Sequence, residues 1–101
     1  DGAESSAVVA QRVQQARAVQ QERSGVPNAR LEGKALESAC KLDGKCWALL
    51  ETAADRFNLS ARAHQRIVRV GRTIADLAAC KKIAPAHIAE ALSLRCLDRR
   101  L

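Results

Sequence analysis

Three arginines, Arg62, Arg66 and Arg69, fall on one side of a helical stretch that opens just after Ser60. A guanidinium keeps its charge at any ordinary pH and can grip phosphate oxygens with two parallel hydrogen bonds. A helix N-terminus behind it adds unpaired amides and the positive end of the helix dipole. Arg62, two residues after a capping serine, therefore stands where a cation can meet an oxyanion. On the residues alone, a solvated helix face is the favoured reading for Arg62. Arg66 and Arg69 share the face, and for them a solvated face and a role are equally open. They could support a phosphate site, meet a neighbouring subunit, touch DNA or simply lie in water.

Other chemistry is thinly supported. Cys40, Cys46, Cys80 and Cys96 include no C-x-x-C pair, and His64 and His87 do not complete a metal set, so no metal site is expected. The cysteines read as small buried hydrophobes of a reducing cytosol. His64 sits among basic residues with no nucleophile beside it, and His87 and Glu90, at i and i+3, suit a local contact rather than catalysis. No Ser/His/Asp set and no carboxylate pair occurs. Arg72 and Asp76, one turn apart in the less favourable order, predict a modest ion pair worth a few tenths of a kcal/mol.

The elements that must hold these residues are helical. Of 101 residues, 48% are hydrophobic but only 2% aromatic, so the core must be built of Ala, Leu, Ile and Val. Chains rich in alanine and poor in Gly and Pro favour helices. Trp47 and Phe57, at helical spacing with Leu50 and Ala54, are expected in the core rather than as a base-stacking platform. Residues 1–6 are expected to be disordered. A polar helix over 7–24 follows, with Val9, Val13 and Ala16 as its thin apolar line; Gly25 and Pro27 end it. Further helices are predicted over about 31–40, 45–57, 61–80 and 85–95. In the fourth, Ala63, Ile67, Val70, Ile74, Leu77 and Ala78 form the apolar stripe, with Ser60 as N-cap. Pro85 suits the first position of the last helix, and the charged end Asp98–Leu101 is expected to be loose. No strand pattern appears. The fold class is an all-α bundle of four to five helices in one domain.

The formal charge is +6, with an isoelectric point of about 9.7. That permits nucleic-acid binding without showing it. No apolar run is long enough to span a membrane.

The run from Leu59 to Leu77, LSARAHQRIVRVGRTIADL, resembles the C-terminal domain of magnesium-chelatase-like AAA+ ATPases, closest to the ComM/YifB branch. Arg12-Val13, Ala16-Arg17, Gln20 and Arg23 resemble the helix that joins an ATPase core to its lid. Pro27-Asn28-Ala29, Cys40 to Asp43, and His87 to Leu92 with Arg95 and Leu97-Asp98-Arg99 agree in order. The long central block is specific; the closing helix is generic to such lids. Gly71 stands where this family usually carries Ala, which weakens the helix by up to about 1 kcal/mol unless the site is a close contact.

The resemblance implies that the chain is the helical C-terminal lid of a longer protein, with residues 7–24 as the connecting helix and an ATPase core upstream. It implies that Arg62 is the sensor 2 arginine, on the γ-phosphate of ATP, with Mg²⁺ and ATP bound by the parent rather than by this segment. The chain itself has no G-x-x-x-x-G-K-[ST] loop and should not hydrolyse ATP alone. The implied partners are the core and the neighbouring subunits of a homo-oligomeric, hexameric ring, with DNA a further one; a cytoplasmic setting fits. ComM-like parents imply DNA handling in natural transformation, and chelatase subunits imply metal insertion into a porphyrin. From a different class, a free-standing basic helical module could bind DNA through Arg62, Arg66 and Arg69, or an inert bundle could dock a partner on its polar first helix.

Overall fold

A computed structural model describes residues 6–100, with side chains described through Leu94. Five α-helices and one 3-10 turn follow in order: α1 Ser6–Ser24, the turn Asn28–Arg30, α2 Gly33–Ala39, α3 Gly44–Phe57, α4 Ala61–Leu77 and α5 Pro85–Arg100. No strand occurs among the described residues, and the fold is an all-α bundle. The disorder expected for residues 1–6 lies outside the described residues, except that Ser6 begins α1. The end expected to be loose instead stays helical to Arg100.

Local chemistry sets the helix ends. Gly25 takes a left-handed φ of 73°, and its amide closes α1 on the Gln21 carbonyl at 2.8 Å. Asp43 is the N-cap of α3: its carboxylate accepts from the Cys46 amide at 2.8 Å. Asn58 ends α3 in the left-handed region, which asparagine tolerates better than most residues. The Ser60 hydroxyl accepts from the Ala63 amide at 3.1 Å and starts α4. Pro85 opens α5. His87, expected to meet Glu90, instead accepts the Ala84 amide on Nδ1 at 2.8 Å, as the third residue of a helix does in a reciprocal cap.

Helix α4 lies at the centre, packed against α5, α1 and the 3-10 turn, while α3 packs on α5. The core gathers Leu31, Leu36, Cys46, Leu50, Ile67, Val68, Ala75, Ile83, Ile88 and Ala91. Gly71 of α4 faces Ile88 of α5. A Cβ at this position would lie 2.9 Å from Ile88 Cδ1, so the glycine marks a tight helix–helix contact rather than a weak point.

Two predicted faces are turned by one residue. In α3 the buried positions are Cys46, Leu50 and Ala53, whereas Trp47 and Phe57 are 46% and 40% exposed. The core selects the small thiol and leaves both rings outside. The Trp47 indole stacks on the His64 imidazole with centroids 6.0 Å apart, and Arg56 lies over the Phe57 ring. In α4 the buried set is Ile67, Val68, Gly71, Arg72, Ala75 and Asp76. Val70 and Ile74 flank it, and Leu77 and Ala78 are exposed. The centre of this face holds a glycine and an ion pair, which an apolar pattern cannot detect.

Candidate functional site

Arg62 is the second residue of α4 and is exposed. The helix start behind it is well formed: Ser60 caps the Ala63 amide through its hydroxyl, and the His64 amide reaches the Ser60 carbonyl at 2.9 Å. The Arg62 side chain is open to solvent, and it shares its end of the helix with the positive pole of the dipole. The arrangement can grip a phosphate brought to it from outside.

The two arginines expected to share its face do not act alike. Arg66 is exposed and lines a shallow groove with Val70, Ile74, Leu77 and Leu94. Arg69 is half-buried, and its Nη1 donates to the Leu31 carbonyl at 3.0 Å. Leu31 is fully buried just after the 3-10 turn, so Arg69 ties that turn to α4. The three arginines are thus two exposed side chains and one structural brace.

A second polar cluster escapes the sequence pattern almost entirely. Asp76, whose side chain is wholly buried, accepts from Arg23 at 2.7 and 3.3 Å, from Asn28 Nδ2 at 2.8 Å and from Arg72 at 3.1 Å. Arg72 also donates to the Cys80 and Lys81 carbonyls at 2.8 and 3.0 Å, capping the loop after α4. Asn28 extends the network, its amide donating to Gln20 Oε1 at 3.0 Å and its Nδ2 to the Thr73 hydroxyl at 3.1 Å. The pair predicted as a modest surface contact between Arg72 and Asp76 is therefore the buried centre of a hub joining α1, the turn, α4 and the next loop. Burial alone pushes the Asp76 carboxyl up, but the hydrogen bonds from Arg23 and Asn28 and the charge of Arg72 outweigh it and hold it below the usual range. The one signal in the sequence is the i, i+4 spacing of Arg72 and Asp76, which does not reveal depth.

The cysteines divide by depth. Cys40 and Cys46 are buried, and Cys80, expected to be buried, is exposed. Desolvation pushes the Cys40 thiol up to about 11, and burial also raises Cys46, whose Sγ donates to the Ile83 carbonyl at 3.4 Å. The side chain of Cys96 lies outside the described residues. Among those described, no group of three or more His, Cys, Asp or Glu is gathered to hold a metal ion, and no helix is long and apolar enough to cross a membrane.

With this geometry in view, comparison with known proteins is decisive. Residues 3–95 match the family described as magnesium chelatase, subunit ChlI C-terminal. The chain belongs to that family. It is 45% identical over 101 residues to the competence protein ComM of Haemophilus influenzae, covering all of this chain and 20% of that protein. It is 42% identical over 98 residues to the uncharacterized protein YifB of Salmonella typhimurium, covering 97% of this chain and 19% of that one. YifB of Escherichia coli matches to the same extent. The chain therefore spans about a fifth of the length of these relatives. In this chain Arg62, Gly71 and the Asp76 hub all lie on α4 or against it.

Proposed function

We propose that this chain is the C-terminal helical lid of a magnesium-chelatase-like AAA+ ATPase, and that Arg62 is its nucleotide-sensing residue. The observation that carries the reading is Arg62 itself: an exposed guanidinium in the first turn of a capped helix, within a domain of the ChlI C-terminal family. Phosphoryl transfer is promoted chiefly by positioning and by cations placed on phosphate oxygens. One arginine is what this segment would bring to the γ-phosphate. The phosphate-cradling loop and the Mg²⁺ ligands would come from the remainder of a longer protein. Helix α1, anchored to α4 through the Asp76 hub, is the connecting helix, so a change in the core would swing α4 and Arg62 as one unit. The parent would form a ring, with sensing coupled to its motion. Similarity to a competence protein and the basic charge favour a DNA-processing motor over porphyrin metallation.

The experiment is Arg62→Ala in the full-length protein, with ATP turnover and nucleotide-dependent assembly measured together. The expected loss in turnover is about 100-fold, the scale for removing one preorganised donor from a developing charge. Undiminished turnover with normal assembly would refute the role. A stand-alone DNA interface on Arg62, Arg66 and Arg69 is less well supported, because Arg69 is already engaged with the Leu31 carbonyl.

A further inference from the structure

At the end of the bundle far from Arg62, the ends of α1 and α2, the start of α3 and the loop after α4 converge on a cleft lined by Arg23, Lys41, Asp43, Arg72, Lys81 and Lys82. From Arg62 to Arg72, the α4 residue that lines the cleft, is ten helical steps, or about 15 Å at the standard rise, so the cleft lies apart from the start of α4. Its charge is strongly one-sided. Five cations face the Asp43 carboxylate on the rim and that of Asp76 behind Arg23 and Arg72, which leaves three positive charges uncompensated.

The uncompensated charges can be named. Arg23 and Arg72 are held by Asp76, and Asp43 is engaged in capping α3. Lys41, Lys81 and Lys82 are exposed and pair with no acid among the described residues. Beneath them Arg72, only 3% exposed, has an Nε–H with no acceptor. A buried donor left unmet costs about 1–3 kcal/mol. Three unpaired ammonium groups beside a guanidinium with one unmet N–H make a surface suited to an anion.

We propose that this cleft binds phosphate oxyanions. Lysine ammonium groups engage phosphate as mobile point charges, whereas a planar carboxylate is best matched by an arginine fork, and both forks here are already occupied. No aromatic side chain lines the cleft, so the bases of a nucleic acid would find no stacking platform; contact is with phosphate alone and is independent of sequence. The site goes beyond the nucleotide-sensing reading and does not depend on it.

Two probes distinguish a small phosphate from a polymer backbone: pyrophosphate, followed by thermal shift and amide chemical shifts, and a short fluorescein-labelled DNA duplex, followed by anisotropy across a salt series. The variant is Lys41→Gln/Lys81→Gln/Lys82→Gln, at three exposed positions, with circular dichroism to confirm the fold. Arg62→Gln is the control. Wild type and control are expected to bind at low salt, with shifts at the amides of Lys41, Lys81 and Lys82. The triple variant is expected to lose about tenfold or more in duplex affinity. Its slope of log K against log salt should be shallower by nearly three, at about 0.9 for each phosphate no longer neutralised. A response to pyrophosphate alone assigns the site to small phosphates, and a response to duplex alone to a polymer backbone; either supports the cleft. Binding of neither probe, a triple variant that binds like wild type, or a loss confined to the Arg62 control overturns it.

Discussion

Gly71→Ala is a test in which two general rules point in opposite directions. Helix propensity says that alanine in the interior of α4 should stabilise it by about 1 kcal/mol. Packing says otherwise, because the new Cβ would come to 2.9 Å from Ile88 Cδ1. Ile88 has no exposed surface, so Cδ1 can give way only by turning its side chain within the core, and overpacking a dense core costs about 1–3 kcal/mol. The expected net effect is a destabilisation of about 1 kcal/mol, read as a fall in Tm of about 4–8 °C for a domain of this size. Ile88→Val removes the very methyl in question and by itself should cost about 0.5–1.5 kcal/mol. In the double variant the introduced alanine methyl fills the space that Cδ1 leaves. Its loss should therefore be smaller than the sum of the two single losses by about 1 kcal/mol, a coupling well above the scatter of additive pairs. Urea unfolding of the four proteins measures all terms of the cycle. A Gly71→Ala protein more stable than wild type, or strict additivity with Ile88→Val, would refute the close-contact account.

Asp76→Asn should be among the most damaging single changes, because it strips the counter-charge from two arginines, one of them fully buried. Removing one partner of a buried pair costs about 3–5 kcal/mol, measurable by the same urea unfolding; a loss under about 1 kcal/mol would contradict the hub. The pH dependence has a defined sign. The Asp76 pKa is lowered on folding, so its contribution is complete above the unfolded value of about 3.9 and is lost as pH falls through the lower folded one. Acid unfolding scans should show a steep drop below about pH 4 that Asp76→Asn flattens. Thiol reactivity should separate the cysteines: mass spectrometry after brief alkylation at neutral pH should find Cys80 modified well before Cys40 or Cys46, which are buried and whose thiols are held protonated. Equal labelling rates in native buffer would contradict the burial described.

Short-range chemistry is legible in the sequence, and depth is not. Ser60, Asn58, Gly25 and Pro85 mark helix ends because each acts within four residues, through a cap, a left-handed turn or a missing amide. The exposure of Arg62 follows from the same local logic, since position in the first turn opposite an apolar stripe is a one-helix property. The errors come where a neighbour decides. Trp47 and Phe57 look like core by size, yet the face that packs belongs to Cys46, Leu50 and Ala53. Leu77 looks like the end of a stripe, yet Ala75 and Asp76 hold the buried positions beside it. Gly71 looks like a defect until Ile88 arrives from α5. Arg23, Asn28 and Asp76 lie up to 53 positions apart, and no spacing rule connects them before the fold does.

That distant connection determines how the domain can move. Apolar contacts between α1 and α4 would tolerate sliding, since the hydrophobic effect has no direction. A two-pronged hydrogen bond from Arg23 to a fully buried carboxylate does not, because any shift that breaks it leaves charge stranded in the interior. The C-terminal end of α1 is therefore pinned to the C-terminal part of α4 at one register, with Asn28 and Gln20 fixing the turn between them. Towards the start of α1, Val8 and Val9 are exposed, and the buried residues of the helix are Ala16 and Gln20. A force applied along α1 is thus transmitted to α4 through Asp76. Substituting Asp76 should consequently uncouple α1 from Arg62 even under conditions where the bundle stays folded, and a spin-label distance between the start of α1 and position 62 that stays equally narrow in Asp76→Asn would show that the pin is not what holds them in register.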